Sequence, residues 1–316
     1  MKKTQKIIGR VIVRVALGAI LLAGTFVTRD AASNDGDGWG SRGWKNRSGK
    51  CGDGWGGSSW GSNSGNLEVV GLTADQRLIC FDEDHPRDAD TIGGVKGLTL
   101  DNSLVGIDFR PATGELYGFG DAGGIYTLDL NTAIATLRSR LNMDGMDVAL
   151  SGTYFGVDFN PTVDRLRIVS DTGQNLRVNV DTGATLVDGT LNNAGVTATG
   201  VTGAAYTNND SDPNTATTLY VIDSVLDQVA IQAPPNAGTL NPTGKLTLDA
   251  ASAVGFDIYS RIRNDSTVDV RGLASLVTGG KTGFYRINLF TGNARLRGTF
   301  SSHNQVIGIA IPLNQL

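Results

Sequence analysis

Apolar and polar positions alternate along most of the chain in short runs, broken every few residues by Gly, Asp or Asn. The stretch that opens at Val105 reads as four such runs: GIDFRP at 106–111, ELYGFG at 115–120, IYTLDL at 125–130 and TLRSRL at 136–141. A period of two bounded by turn residues predicts β-strands. Helical spacing is not sustained anywhere after residue 66.

The pattern repeats. The first strand of the unit recurs as GIDFRP at 106–111, GVDFNP at 156–161, GAAY at 203–206, GFDI at 255–258 and GIAIP at 308–312. Its third residues are Asp108, Asp158, Ala205, Asp257 and Ala310, at spacings of 50, 47, 52 and 53. A period of about fifty residues with about four strands is that of a propeller blade. The third strand recurs at 78–82, 125–129, 176–179, in diverged form at 229–232, and at 284–288. After residue 66 the chain starts with a second strand (67–72), a third (78–82) and a fourth (91–93). It finishes with a first strand (307–311) that has no unit behind it. Joining the two ends makes a complete unit and removes the free sheet edges of an open array. The expectation is an all-β fold, a five-bladed β-propeller over residues 67–316, with the closing blade shared between the N- and C-terminal strands. An open β-solenoid is the alternative, and it would have no reason to split a unit between the termini.

The paired motifs GIDFRP followed by Gly114-Glu115-Leu116-Tyr117, and GVDFNP at 156–161, resemble the bacterial domain-of-unknown-function family numbered 4394. The resemblance covers residues 67 to 313. It implies exported bacterial proteins with a propeller-like all-β fold and no established activity, and it supplies no catalytic residues. The third copy of the first strand departs from the motif, with Ala205 for Asp and Thr207-Asn208 for Arg-Pro or Asn-Pro.

Composition divides the chain near residue 65. All four Trp (Trp39, Trp44, Trp55, Trp60) precede residue 61, and ten of the 27 Lys and Arg precede residue 66. The remainder carries 17 basic and 27 acidic residues, a net of −10, which disfavours nucleic acid as a partner. Lys2, Lys3, Lys6, Arg10 and Arg14 precede an uncharged stretch at 15–28, and Ala31, Ala32 and Ser33 follow. This is the layout of a signal peptide at 1–33, cleaved after Ala32 or Ser33. The apolar part is shorter than the roughly 17 to 25 residues that span a bilayer. Residues 34–66, rich in Gly, Ser and Trp, read as a flexible tether, and the Trp-Gly pairs offer the alternative of a segment that stacks on a partner. Matches to G-x-S-x-G (57–61) and G-x-G-x-x-G (52–57) in this tract lack the strand-to-helix context that gives those motifs meaning. The expected location is extracytoplasmic, the expected partner an extracellular ligand or surface, and the expected state a monomer without a membrane span after cleavage. Two cysteines, Cys51 and Cys80, permit one disulfide. Cys80 aligns with Thr127, Arg177 and Arg286, so its side chain is expected on a polar face within reach of Cys51.

Candidate chemistry is sparse. Asp108, Asp158 and Asp257 recur near the end of a first strand, where a carboxylate can hold a cation at a channel mouth or accept N–H bonds from its own turn; the turn role is the favoured reading. Asp129, Asn179 and Asn288 precede third turns and have the same explanation. The acidic loops at 81–90 and 208–214 offer oxygen ligands of the kind Ca²⁺ takes, but neither has the EF-hand pattern, since Thr215 and Val221 stand where Gly and Glu would. His85 and His303 are the only histidines, too few for a typical transition-metal site. The sequence therefore assigns no catalytic, cofactor-binding or metal residue. It points to a secreted binding or structural module, with a Ca²⁺-dependent propeller hydrolase as the alternative.

Overall fold

The computed structural model describes residues 66–316 except 209, 211, 213, 214, 264, 265, 314 and 316. The expected signal peptide, the expected tether up to residue 65 with its Trp-Gly pairs, and Cys51 lie outside the described residues.

Blade 1 contains β1 (Glu68–Thr73), β2 (Arg77–Asp82) and β3 (Asp90–Gly94). Blade 2 contains β4 (Leu104–Phe109), β5 (Leu116–Gly120), β6 (Gly124–Leu128) and β7 (Ala135–Arg140), and a small ribbon follows, β8 (Asn142–Met143) with β9 (Met146–Asp147). Blade 3 contains β10 (Phe155–Asn160), β11 (Arg165–Ser170), β12 (Asn175–Val178) and β13 (Thr185–Val187), with a second ribbon, β14 (Asn192–Asn193) and β15 (Val196–Thr197). Blade 4 contains β16 (Val201–Tyr206), β17 (Leu219–Asp223), β18 (Gln228–Gln232) and β19 (Leu240–Lys245). Blade 5 contains β20 (Val254–Arg263), β21 (Ser266–Thr278), β22 (Lys281–Ile287) and β23 (Ala294–Thr299), and β24 (Val306–Ala310) ends the fold. β24 pairs antiparallel with β1, Gly71 opposite Ile309 and Val70 opposite Ala310, so blade 1 is completed from the other end of the chain. The fold is the five-bladed β-propeller that the sequence predicts.

Inner strands β4, β10, β16, β20 and β24 pack each against the next, and β24 closes on β4. Three of the five copies of the glycine that opens the motif have no room for a side chain. A Cβ on Gly106 would lie 2.5 Å from Val157 Cγ2, one on Gly156 2.6 Å from the Ala204 nitrogen, and one on Gly255 2.8 Å from the Gly308 carbonyl carbon. Five apolar clusters fill the ring, one at each blade junction. Alternate residues of one strand feed different clusters: Leu116 faces the junction of blades 1 and 2, whereas Tyr117 and Phe119 face that of blades 2 and 3. The expectation of strands with one apolar and one polar face is thereby corrected. Inner strands are buried on both faces, and exposed positions concentrate on fourth strands such as β7 and β23.

At the closing blade the ladder between β24 and β1 stops before Pro312, which has no N–H to give. Gln315 takes over: its Oε1 accepts from Glu68 N (2.7 Å) and its Nε2 donates to Glu68 O (2.9 Å). Cys80 on β2 is half-buried and disulfide-bonded.

Candidate functional site

All five inner strands run the same way, so Asp108, Asp158 and Asp257 reach the same end of the channel. Their carboxylate oxygens lie within 4.8 Å of one another, and all three residues are buried. The inner edge of each inner strand has no neighbouring strand, so its N–H groups need other acceptors. The carboxylates supply them. Asp108 accepts from its neighbour Phe109 N (2.7 Å) and, across the junction, from Phe159 N (2.6 Å) of blade 3. Asp158 accepts from Tyr206 N of blade 4 through Oδ2 (2.8 Å). Asp257 accepts from Ile258 N (2.5 Å) and from Ile311 N (2.6 Å), which follows β24.

These five N–H groups occupy the same position in the five repeats. Blades 1 and 4 carry Ala310 and Ala205 in place of Asp, so they reach no acceptor into blades 2 and 5. Phe109 and Ile258 are served instead by the second oxygen of Asp108 and Asp257. Three carboxylates thus satisfy all five positions. The sequence reading that each Asp caps its own turn is corrected: the turn after β4 starts at Arg110, whose carbonyl accepts from Gly114 N, beyond the reach of Asp108. The turn-capping reading does hold at Asp129, Asn179 and Asn288, whose Oδ1 atoms accept N–H bonds from two or three residues on.

Burial sets the electrostatics. It holds Asp108 well above the usual 3.8, with the nearby Asp257 charge adding to the effect. Burial, then the Asp108 and Asp257 charges, do the same for Asp158. Asp257 is raised by burial to about 6, its two N–H bonds pulling the other way. Burial and mutual repulsion thus favour the protonated form at all three carboxyls.

A second set of contacts ties blades together through two buried arginines, Arg110 and Arg167, and the half-buried Arg271. Arg110, in the DFRP motif, forks onto Asp164 (2.8 and 2.6 Å) and Asp181 (3.0 and 2.8 Å) of blade 3, and also donates to Tyr117 OH. Arg167, 1% exposed, donates to Asn175 and Asp188 in its own blade and to Asn236 and the Tyr206 hydroxyl in blade 4. Arg271 of blade 5 holds the buried Glu83 of blade 1 (2.6 Å). Sequence reasoning missed these clamps. An Arg between the apolar Leu166 and Ile168 of the RLRIVS strand was the available signal for Arg167.

The acidic loops are engaged by the frame. Asp82 Oδ1 accepts from Asp84 N, Asp84 pairs with Arg297, and Asp210 Oδ1 accepts from Asp212 N. His85 stands on the surface beside Asp82, and His303 lies exposed in the segment before β24. Neither is on an inner strand. No described feature assembles a nucleophile with a base.

The family model described as a domain of unknown function (DUF4394) matches residues 77–310. The chain belongs to this family. Its DFRP and DFNP motifs are the segments that place Asp108, Asp158 and Arg110 as described above. No curated protein matches the chain. Among solved structures it is similar to a structural genomics protein of unknown function from Bacteroides thetaiotaomicron, at 15% identity and TM-score 0.40, over 74% of this chain and 58% of that one. It is also similar to a putative 6-phosphogluconolactonase from Bacteroides fragilis, at 10% identity and TM-score 0.39, over 79% of this chain and 99% of that one. An auxiliary nutrient binding protein from Bacteroides thetaiotaomicron matches at 17% identity and TM-score 0.34, over 55% and 46%. The chain spans 43% to 58% of the length of the first three structures it matches.

Proposed function

We propose that the chain is an exported binding or structural module whose ligand is taken by loops on a rigid ring. The observation that carries this reading is the use of the channel-mouth carboxylates: five of their bonds go to backbone N–H groups that the fold must satisfy. Loops at both ends of the strands present exposed apolar side chains, among them Met143, Met146, Tyr154, Val196, Val225 and Leu226 away from the carboxylates and Ile134, Val163 and Phe290 at their end. Exposed apolar side chains gathered on loops of a rigid frame suit recognition. The disulfide at Cys80 supports an oxidising compartment, as the basic and apolar N-terminal pattern does.

A second reading, a Ca²⁺-dependent hydrolase, is favoured by one observation, the convergence of three carboxylates within 4.8 Å. Assaying the purified protein against ester, lactone and phosphoester substrates, with Ca²⁺ or with chelator, separates the two. The binding-module reading expects no turnover in either condition. Chelator-sensitive turnover that disappears in Asp158→Asn would replace it with the hydrolase. N-terminal sequencing of protein recovered from the extracytoplasmic fraction tests export, with Ser33 or Asn34 expected first.

A further inference from the structure

The two ribbons that follow blades 2 and 3 are copies of one device. In each, a Leu-Asn pair is followed by Gly after two intervening residues, and the turn residues Asp144-Gly145 and Ala194-Gly195 both have positive φ (53° and 82°; 50° and 87°). That is the two-residue turn whose twist suits a tight hairpin. Each ribbon docks on the next blade through its first residue. Asn142 donates from its side chain to Thr182 O (3.0 Å) and Asn192 to Ala237 O (3.4 Å), while their backbone nitrogens donate to Gly183 O and Gly238 O. Successive residues of a strand face opposite ways. The pair next to the turn in the first ribbon, Met143 opposite Met146, therefore faces away from the blade; in the second, Val196 is exposed at the equivalent place, whereas its partner Asn193 keeps its Oδ1 buried.

Met143 and Met146 are the only methionines after Met1. They are 43% and 65% exposed, so they are not there to fill a core. Opposed residues of an antiparallel pair hold their Cβ atoms about 4.5 to 5.5 Å apart. Two flexible thioethers so placed can converge on one ion. Thioethers select soft cations, whereas carboxylates and carbonyls select hard ones. Of the ribbon's two carboxylates, Asp144 sits in the turn between the methionines, and Asp147 belongs to the docked face and is paired with Arg140 (3.3 Å). We propose that Met143 and Met146 form a surface site for a soft monovalent cation, Cu(I) or Ag(I), and that the second ribbon is the same frame without the ligands.

Silver(I) nitrate titrated into the full chain in chloride-free buffer, followed by the ¹³C-labelled methionine methyl signals and by calorimetry, tests this. One ion per chain should bind with both methyl signals shifting. Met143→Leu with Met146→Leu, which keeps the apolar bulk, should weaken binding at least tenfold and leave His85 and His303 unchanged as a background. Asn193→Met with Val196→Met in the second ribbon should raise the stoichiometry to two. Equal silver binding by wild type and the double Leu variant, unmoved methyl signals, or a graft that gains no second ion would overturn the proposal.

Discussion

At the scale of single residues, the three channel aspartates are not equivalent. Asp108 and Asp257 each use both oxygens to accept N–H bonds, so an amide in their place would set an NH₂ against a backbone donor. Asp158 accepts from Tyr206 through one oxygen, which the carbonyl of Asn can supply. Asp108→Asn and Asp257→Asn are therefore expected to lower stability by about 1 to 3 kcal/mol each, the cost of leaving a buried donor unsatisfied. Asp158→Asn is expected to be neutral or stabilising above pH 7, as read from denaturant midpoints. The pH dependence follows from the direction of the shifts. A carboxyl whose folded value is raised binds its proton more tightly in the native state, so stability is greatest below its unfolded value and falls as pH rises through the window. For this cluster the fall starts at about 3.8 and continues through the raised values of the three carboxyls, with Asp257 ionising at about 6. Opposing it, Asp181, held low chiefly by its bond from Arg110, loses its contribution as pH drops through its depressed value. Raising a melt from pH 5 to pH 8 should lower the thermal midpoint, and Asp158→Asn should flatten that slope.

Strands and their junctions respond to different substitutions. Gly156→Ala would drive a Cβ against the backbone of Ala204, and overpacking of this kind costs about 1 to 3 kcal/mol. Arg110→Lys keeps the charge but not the fork that holds two carboxylates at once; about 1 to 3 kcal/mol is expected to be lost, measured by chemical unfolding. The strands themselves were legible because turn residues and the period of two mark them: β2 was read at 78–82 and lies at Arg77–Asp82, and β24 was read at 307–311 and lies at Val306–Ala310. Blade count was legible from the incomplete units at the two ends. What faces what was not. Phe159 N lies 51 residues from Asp108, and the Asn236 side chain lies 69 residues from Arg167. Such partners emerge only when blade is placed on blade, and a strand pattern cannot tell a polar face from a second buried junction. The ribbons were hidden for another reason: two-residue strands are too short to show any period, and only the repeated Leu-Asn and Gly at 141–145 and 191–195 marked them.

For the whole molecule, closure rests on the inner ring. Removing residues 306–316 deletes β24 and Gln315 together, exposes the edges of β1 and the inner face of blade 5, and should abolish the cooperative unfolding transition seen by calorimetry. The central claim is that the carboxylates at the channel mouth belong to the frame, by joining blades through backbone N–H groups, and leave recognition to the loops. The measurement that tests it most directly is the thermal midpoint of wild type and Asp158→Asn from pH 5 to 8, each with Ca²⁺ and with chelator. The expected result is a wild-type midpoint that falls with pH, a flatter line for the variant, and no response of either to Ca²⁺. A Ca²⁺-dependent rise of several degrees in the wild type that the variant lacks would contradict it.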